Sequence, residues 1–388
     1  MTLGPEDNRT SPAEALSRNS MQAKAQPNLV ERLSPSLSWN TDESIELTAD
    51  VFCSTTNCPV GAYRIGARLY DRQSGERLDE KELDQDLIVL FNPWSDKDSV
   101  YMADDGWRNE CVLATKGRIW TGEVSWKSSI SWDFAQFQNP SLSSALLGLN
   151  DLDRNMRTAP TIVSRYFSDY VNASPNGENG ILEGKWSGDY RDGISPMNWK
   201  GSLPIFVRYI KYRMPVKYGQ CWVFAGVLTS CLRSLGIPSR PVTNYESGHD
   251  TGFDKSIDIY VDEDDNILDS SPDDFWNFHV WTECWIIRVN PVYLDCWQVV
   301  DATPQEPSDG AYQCGPAARI DVKAGRDTRF DTVFVYGEVC APLVVWKEID
   351  GVFCTNEVLS GRIGLDISTK AVSSETRLEI TTDYKENP

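Results

Sequence analysis

The stretch YGQCWVFAGVLTSCLRSLGIPSRPVTNY, residues 218–245, decides the fold. Its apolar residues recur at the spacing of a buried helix, which we predict to carry Cys221 in its first turn and to be closed by Gly236 and Pro238. At a helix N-terminus, the helix dipole and the unpaired N–H groups favour a cysteine thiolate, which is a nucleophile. A buried core cysteine fits the same pattern, because cysteine is among the residue types most often buried.

The segments on either side of this helix indicate an α+β fold. From about residue 29 to 125, short alternating or apolar runs broken by turn residues predict strands of an antiparallel sheet layer. Helical spacing predicts three helices, in SSALLGLNDLDR, APTIVSRYFSDYVN and GSLPIFVRYIKYR. Further strands are predicted in DKSIDIYVD, FHVWTECWIIRV, CWQVVDATPQ, DTVFVYGEV, LVVWKE and TRLEITTDY. Helices followed by a run of strands are typical of an α+β protein.

The composition argues against several classes of protein. The 388 residues include 37 Lys and Arg against 57 Asp and Glu, and the net charge of -20 disfavours nucleic-acid and anionic-membrane partners and suits calcium or cationic ones. No stretch approaches the roughly 18 consecutive apolar residues of a membrane span. Residues 1–28 are polar, so we expect a disordered segment without a signal peptide.

The cysteines indicate the compartment. All ten are scattered, without a CxxC pair or a dense disulfide framework, which favours a reducing environment. Cys53 and Cys58 are close enough in sequence to pair, but spacing alone does not establish the geometry. We expect a cytoplasmic protein, or one exported without a signal peptide.

Histidine is scarce, which narrows the search for a partner of Cys221. Of the two histidines, His249 lies in the polar loop YESGHDTG and is expected at the surface, whereas His279 lies in the Trp-rich strand WNFHVWTECW. Asp301 ends the strand in CWQVVDATPQ. Two strands could therefore bring a base and its orienting carboxylate beside the helix start, as in cysteine acyl-transfer enzymes. Taken singly, His279 could be a core histidine and Asp301 a turn residue.

These motifs together resemble the catalytic core of the animal transglutaminases, which are calcium-dependent protein-glutamine γ-glutamyltransferases. The resemblance is carried by YGQCWVFAGVLTSCLRSLGIPSRPVTNYESGHD, FWNFHVW and WQVVDATPQE, and it extends through LIVLFNPW, GKWSGDYRDGISPMNW, CGPAARI and ISTKAV. It covers roughly residues 57 to 388. It implies a papain-like, cysteine-protease-type core over residues 96–388, preceded by a partial, mostly antiparallel β-sandwich over 29–95, with no sequence left for the C-terminal β-barrels of the family.

The resemblance also implies roles for individual residues. Cys221 becomes the nucleophile, His279 the base and Asp301 its orienting partner. Three tryptophans join them. Trp186 would donate its indole N–H to an oxyanion, and Trp222 and Trp276 would form the walls of a tunnel through which the amine arrives. Each of these tryptophans could equally be a packing residue. The implied partners are glutamine-containing and lysine-containing protein substrates, polyamines or other primary amines.

The resemblance further implies that Ca²⁺ is bound. One site is expected at Asp250, Asp254, Ser256 and Asp273, although Gly252 stands where a further carboxylate is expected. A second site is expected in YVNASPNGENG, a loop one residue longer than that of the family, at Asn172, Asn176 and Glu178. A third site is expected to be lost, because Cys340 replaces its asparagine. The alternative for each is an acidic loop that holds no metal.

Three functions remain open from the sequence. The first is a calcium-activated transglutaminase that forms isopeptide cross-links through a Cys thioester and releases ammonia. The second is a cysteine hydrolase that uses water in the same cleft, either a glutamine deamidase or a protease. The third is a non-catalytic scaffold of the same family. The intact Cys221, His279 and Asp301 argue against the scaffold, and the tryptophans argue against the hydrolase.

Overall fold

The computed structural model describes residues 36–39, 45–48, 58–70, 74–82, 84–173, 180–288 and 296–386. The segment 1–28 lies outside the described residues, as do Cys53, Asn176 and Glu178. Cys58 is disulfide-bonded. Within the described residues, no helix combines the length and the apolar character that crossing a membrane requires.

Helices and strands alternate irregularly along the described chain. The helices are α1 Asp105–Arg108, α2 Asn139–Asp151, α3 Pro160–Val171, α4 Leu203–Tyr212, α5 Cys221–Ser234, α6 Arg319–Lys323, α7 Thr332–Val339 and α8 Thr381–Tyr384. The strands of the first half are β1 Ser36–Trp39, β2 Ile45–Thr48, β3 Gly61–Tyr63, β4 Gly66–Tyr70, β5 Arg77–Glu82, β6 Leu87–Val89, β7 Lys116–Glu123, β8 Trp126–Asp133, β9 Leu182–Gly184 and β10 Val216–Gly219. Those of the second half are β11 Ser239–His249, β12 Ile257–Val261, β13 Asp274–Trp285, β14 Trp297–Asp301, β15 Cys314–Ala318, β16 Leu343–Ile349, β17 Val352–Leu359, β18 Asp366–Lys370 and β19 Arg377–Glu379.

The central helix α5 has the ends that the sequence predicts. It begins at Cys221, all of its residues are buried, and the chain leaves it through Gly236 with a φ of 86°, which glycine adopts without strain. A second glycine is required inside the helix. A Cβ at Gly226 would lie 2.3 Å from Cε2 of Trp132, so only glycine lets the indole of β8 approach the helix this closely.

The second half of the chain forms an antiparallel sheet against which α5 packs. Its strand order is β15-β14-β13-β11-β18-β19, with antiparallel pairing throughout. The hydroxyl of Thr282 on β13 lies 3.1 Å from that of Thr229 on α5 and donates to the carbonyl of Ala225 at 3.0 Å. Because Thr282 pairs with Val300 on β14, the next residue, Asp301, lies beside the part of β13 that faces the helix.

The remaining strands form smaller sheets. Strands β12, β16 and β17 form a three-stranded sheet, β9 pairs with β10 in parallel, and β7 pairs with β8. Before them, the pairs β1–β2, β3–β6 and β4–β5 are all antiparallel, as predicted for the N-terminal layer. Helices packed with mainly antiparallel sheets confirm the predicted α+β class.

Two predicted strands are wrong in whole or in part. DTVFVYGEV forms helix α7 instead of a strand, and its buried residues pack against β11 and β15. The periodicity of a short apolar run does not distinguish a buried helix from a strand. Tertiary packing determines which of the two forms. In TRLEITTDY the strand ends at Glu379, and the chain then turns into α8, whose Tyr384 hydroxyl donates to the buried carboxylate of Glu283.

Candidate active site

Cys221 is the first residue of α5 and is almost completely buried. The residue before it, Gln220, is extended, and its carbonyl accepts hydrogen bonds from two N–H groups of the first turn. The Gln220 side chain does not cap the helix, because its Nε2 donates to the Lys185 carbonyl and to the Tyr190 hydroxyl. The backbone N–H of Cys221 has no acceptor within the helix, as for every first-turn residue. It is therefore a donor situated next to the thiol.

His279 and Asp301 form a buried pair on neighbouring strands. Nε2 of His279 lies 2.7 Å from Oδ2 of Asp301, and both side chains are shielded from solvent. Oδ1 of Asp301 accepts a hydrogen bond from the N–H of Thr303 at 2.8 Å, which fixes the carboxylate. The other ring nitrogen of His279, Nδ1, is buried and has no hydrogen bond of normal geometry among the described residues. The Cys221 side chain is close enough to act on the charge of His279, so the structure brings the three sequence-predicted residues together.

The surroundings of His279 favour its protonated form. Burial alone would lower the pKa of His279, because a charge is poorly solvated in the interior. The charge of Asp301 and its hydrogen bond to the ring outweigh burial, and Cys221 and Glu338 act in the same direction. Together they hold the pKa of His279 well above its usual range. A protonated imidazole beside a cysteine stabilises the nucleophilic thiolate.

Two further side chains complete this buried site, and the sequence analysis missed both. Nε2 of Gln305 donates to Oδ2 of Asp301 at 3.0 Å and to Oε1 of Glu338 at 2.9 Å. Oε1 of Glu338 lies 3.5 Å from Nε2 of His279. Gln305 follows Asp301 by four residues in the motif DATPQ. The available signal for Glu338 was one acidic residue inside the apolar run VFVYGEV, which indicates a buried charge.

The predicted tryptophans divide between two sets of contacts. The ring of Trp276 meets His279 edge-on, with centroids 5.1 Å apart, and Trp186 meets Trp276 edge-on at 6.3 Å. Trp186 is 45% exposed, so its indole is partly in contact with solvent. Trp222 is buried and lies against Phe278 at 6.0 Å. Trp186 and Trp276 therefore line the approach to His279, whereas Trp222 supports β13.

The second histidine is not at the surface, contrary to the expectation from its polar neighbours. His249 ends strand β11 and is half-buried. Its Nε2 lies 3.0 Å from Oε1 of Glu306, and its ring meets Trp276 edge-on at 6.2 Å. His249 and Glu306 thus form a second imidazole–carboxylate pair, whose ring contacts Trp276.

The first expected calcium site is a loop whose carboxylates accept hydrogen bonds from nearby N–H groups; among the described residues, the ligand atoms of Asp250, Asp254 and Asp273 do not all lie within 4.8 Å of one another. Oδ1 of Asp250 accepts from the N–H of Asp254 at 3.3 Å, Oδ1 of Asp254 accepts from the Ser256 N–H at 3.0 Å, and Oδ1 of Asp273 accepts from the Thr251 N–H at 2.8 Å. Burial raises the pKa of Asp250, and the charges of Asp254 and Asp273 add to this effect while backbone N–H groups oppose it. The loop therefore offers the oxygen donors that a hard cation such as Ca²⁺ prefers, but its carboxylates do not form a preformed cluster.

The vicinity of Gly252 bears on this loop. A Cβ placed on Gly252 would lie 3.6 Å from Oδ1 of Asp250 and 3.7 Å from Cγ of Asp254. A longer side chain at this position would therefore reach the carboxylates, and the missing ligand stays a prediction.

The second expected calcium site is described only at Asn172. The Nδ2 atom of Asn172 donates to the carbonyls of Ser168 and Tyr312, at 2.9 and 2.7 Å. Its Oδ1 is buried and has no hydrogen-bond partner among the described residues. An unpaired buried acceptor at the start of the loop fits a cation ligand. The other two expected ligands lie outside the described residues.

The arrangement resembles that of papain-like cysteine acyl-transfer enzymes: a cysteine at a helix N-terminus, with a histidine and an aspartate on adjoining antiparallel strands. A family model described as the Transglutaminase-like superfamily matches residues 210–302, which contain all three residues.

Known proteins resemble the chain over most of its length. Protein-glutamine gamma-glutamyltransferase E of Homo sapiens is 41% identical over 350 residues, which cover 86% of this chain and 49% of the relative. The hemocyte protein-glutamine gamma-glutamyltransferase of Tachypleus tridentatus is 43% identical over 312 residues, which cover 76% of this chain and 41% of the relative. The crystal structure of red sea bream transglutaminase matches with a TM-score of 0.75 and 34% identity, covering 90% of this chain and 54% of that one.

The chain therefore contains a transglutaminase-like domain over residues 210–302 and resembles transglutaminases over most of its own length. It spans about half the length of the curated relatives that it matches.

Proposed function

We propose that this protein is a calcium-dependent protein-glutamine γ-glutamyltransferase, which joins the side chains of protein-bound glutamine to lysine side chains, polyamines or other primary amines. The observation that carries the proposal is the buried pair of His279 and Asp301, 2.7 Å apart, with the free ring nitrogen near the Cys221 side chain. The names of the relatives, which are protein-glutamine gamma-glutamyltransferases, support protein-bound glutamine as the acyl donor.

The first half of the proposed reaction forms a thioester. The thiolate of Cys221 attacks the carbon of the glutamine γ-carboxamide, and the carbonyl oxygen becomes an oxyanion. The Cys221 N–H lies beside this position, and the family resemblance adds the indole N–H of Trp186 as a second donor. The proton on Nδ1 of His279 passes to the amide nitrogen, the C–N bond breaks, ammonia leaves and the acyl group remains on sulfur.

The second half transfers the acyl group to an amine. Neutral His279 accepts a proton from the lysine ε-amine as its nitrogen attacks the thioester carbon. The C–S bond breaks, the isopeptide forms and the Cys221 thiolate returns. Throughout, Asp301 keeps Nε2 of His279 protonated, so that Nδ1 is the nitrogen that exchanges protons with substrate.

The aromatic rings beside His279 favour an amine over water in the second half. Trp276 covers one edge of the imidazole and Trp186 covers Trp276, so an acceptor reaches the thioester along indole surfaces. Apolar walls reduce the local concentration of water and accommodate the aliphatic stem of lysine.

Calcium would be held in the loop of Asp250, Asp254, Ser256 and Asp273, with Asn172 belonging to the second loop. A bound cation would supply positive charge that neutralises the carboxylates of this loop and orders it. The test measures calcium binding by calorimetry and cross-linking in excess chelator. Asp250→Asn should weaken binding, and cross-linking that is unchanged in chelator would contradict the dependence on calcium.

One assay tests the enzymatic proposal. The protein is mixed with calcium, a glutamine-bearing protein and a labelled primary amine, beside a Cys221→Ala variant. Incorporation of the amine by the parent and none by the variant is expected. Incorporation that survives the substitution would reject the mechanism, and ammonia release without incorporation would indicate a deamidase.

A further inference from the structure

Glu338 is a buried acid next to the acyl-transfer site that the proposed mechanism does not use. It lies on α7, its side chain is fully buried, and Oε1 is 3.5 Å from Nε2 of His279. Oε2 has no hydrogen-bond partner among the described residues. Burying a carboxyl group without satisfying both oxygens costs free energy, so the position calls for a physical explanation.

The amide of Gln305 connects this acid to the catalytic pair. Its Nε2 donates to Asp301 and to Glu338, and both acceptors are carboxylate oxygens, which fixes the amide with its nitrogen between them. The backbone of Glu338 is also held, because Nδ2 of Asn244 on β11 donates to its carbonyl at 2.7 Å. The carboxyl group is thus fixed beside the imidazole.

The cluster is suited to protons and not to a metal ion. His279, Asp301 and Glu338 are the one group of three potential ligands in the described part of the chain whose ligand atoms all lie within 4.8 Å of one another. The amide N–H₂ of Gln305 points into this group and donates to two of its members. A cation in the same space would face those N–H dipoles.

The protonation of Glu338 changes within the working range of an enzyme. Burial raises the pKa of Glu338 to about 8, and Asp301 adds to this effect while the charge of His279 and the Gln305 hydrogen bond oppose it. The acid is therefore mostly neutral at pH 7 and ionised above pH 8. Two carboxylates this close to one imidazolium do not ionise independently.

The other groups packed against α7 leave this coupling intact. Besides His279 on β13 and Asp301 on β14, the charge of Glu338 also acts on Cys314 on β15. Burial, and then nearby carboxylates that include Glu338, raise the pKa of the Cys314 thiol well above its usual range. Helix α6 contributes Asp321, whose carboxylate accepts hydrogen bonds from Arg326 and Thr328.

We propose that Glu338 is a positioning residue that keeps His279 protonated at alkaline pH, acting through its carboxyl group beside Nε2 and through Gln305. Below pH 8 the neutral acid is a hydrogen-bond acceptor for Gln305. Above pH 8 its negative charge, 3.5 Å from the ring, favours the imidazolium and so preserves the thiolate–imidazolium pair of the active site. The consequence for catalysis rests on the proposed function, but the charge coupling can be measured without any transfer reaction.

The scarcity of histidine makes the measurement direct. In the full chain labelled with [13Cε1]histidine, two imidazole resonances are expected, and a His249→Gln variant assigns them. The titration midpoint of His279 is compared in the parent and in Glu338→Gln, which has the shape of the protonated acid. We expect the midpoint to fall by about one pH unit or more in Glu338→Gln, as for the loss of an opposite charge within 4 to 6 Å.

Controls separate this effect from a change in folding. Glu357→Gln removes a carboxylate from the exposed strand β17 and should leave the His279 midpoint unchanged. His249 is an internal reference in every sample. In the parent, the His279 resonance should also show a second inflection near pH 8, caused by the ionisation of Glu338. This measurement needs no substitution at Glu338. An unchanged midpoint together with a single inflection would overturn the proposal.

The pH profile of amine incorporation provides the catalytic test. In Glu338→Gln the alkaline limb of the profile should fall at lower pH, by the same shift as the His279 midpoint. A merely structural role would lower the rate equally at all pH values. A shifted midpoint with an unshifted profile would overturn the catalytic role. If the parent transfers no amine, the proposed function fails while the resonance titration still decides the coupling.

Discussion

Replacing Asp301 by Asn should leave the fold intact and abolish most of the activity. Both carboxylate oxygens accept hydrogen bonds in the structure: Oδ1 from the Thr303 N–H, and Oδ2 from Nε2 of His279 and from Gln305. An asparagine has one acceptor oxygen, so its N–H₂ group must face one of these donors. Facing the histidine, it would donate to Nε2 and move the ring proton to Nδ1, the nitrogen near Cys221 that has to accept protons.

The magnitude follows from the lost charge. Two unit charges about 4 Å apart at an effective dielectric constant of about 20 attract each other by about 4 kcal/mol. If the Asp301 carboxylate stabilises the imidazolium by this amount along the reaction, its loss lowers kcat/KM by about a factor of 10³. Glu338 is a second carboxyl 3.5 Å from the ring, so Asp301→Asn combined with Glu338→Gln should be slower still.

The assay is steady-state incorporation of a labelled amine into a glutamine-bearing protein in the presence of calcium. Thermal unfolding of each variant verifies the fold. Asp350→Asn is the matched control, because Asp350 is exposed and its φ of 52° is one that asparagine adopts readily. A folded Asp301→Asn variant with kcat/KM within tenfold of the parent would refute the assigned role of the Asp301 carboxylate.

Two further substitutions test the cleft and the core. Trp276→Ala removes the ring beside His279 and should raise the ratio of deamidated to amine-labelled product. Trp276→Phe should retain more of the barrier to water. An unchanged ratio in the alanine variant would count against the tunnel. Gly226→Ala places a Cβ 2.3 Å from the Trp132 indole and should lower the free energy of unfolding by about 1–3 kcal/mol in urea denaturation. Gly66→Ala, whose Cβ meets nothing closer than 3.5 Å, is its control, and equal midpoints for the two variants would contradict the packing argument.

The sequence predicts the elements that carry Cys221, His279 and Asp301 because each lies in a segment with a strong local signal. The helix after Gln220 has continuous apolar periodicity and a glycine at its end, and the strands around His279 and Asp301 are long and apolar. Their meeting depends on strand register, which only the folded sheet fixes. The resemblance to a family supplied the roles, and the spacing of the residues did not.

Two residues, Glu338 and His249, lie where local sequence signals do not predict them. Glu338 lies in a segment rich in β-branched and aromatic residues, which favours a strand, yet packing against β11 and β15 makes this segment a helix and turns the acid toward His279. His249 has polar neighbours, but β11 continues through it by pairing with Asp274 of β13, and this brings its ring to Trp276. Both placements arise from contacts between segments distant in sequence.

The most direct test of the proposed chemistry is detection of the acyl group on Cys221. The protein is incubated with calcium and a glutamine-bearing peptide, without an amine, then quenched in acid and digested for mass spectrometry. The peptide that contains Cys221 should gain the mass of the donor peptide minus ammonia, and hydroxylamine should remove it, as expected for a thioester. Amine incorporation that proceeds without any acylation of Cys221, or with acylation of another residue, would contradict the mechanism.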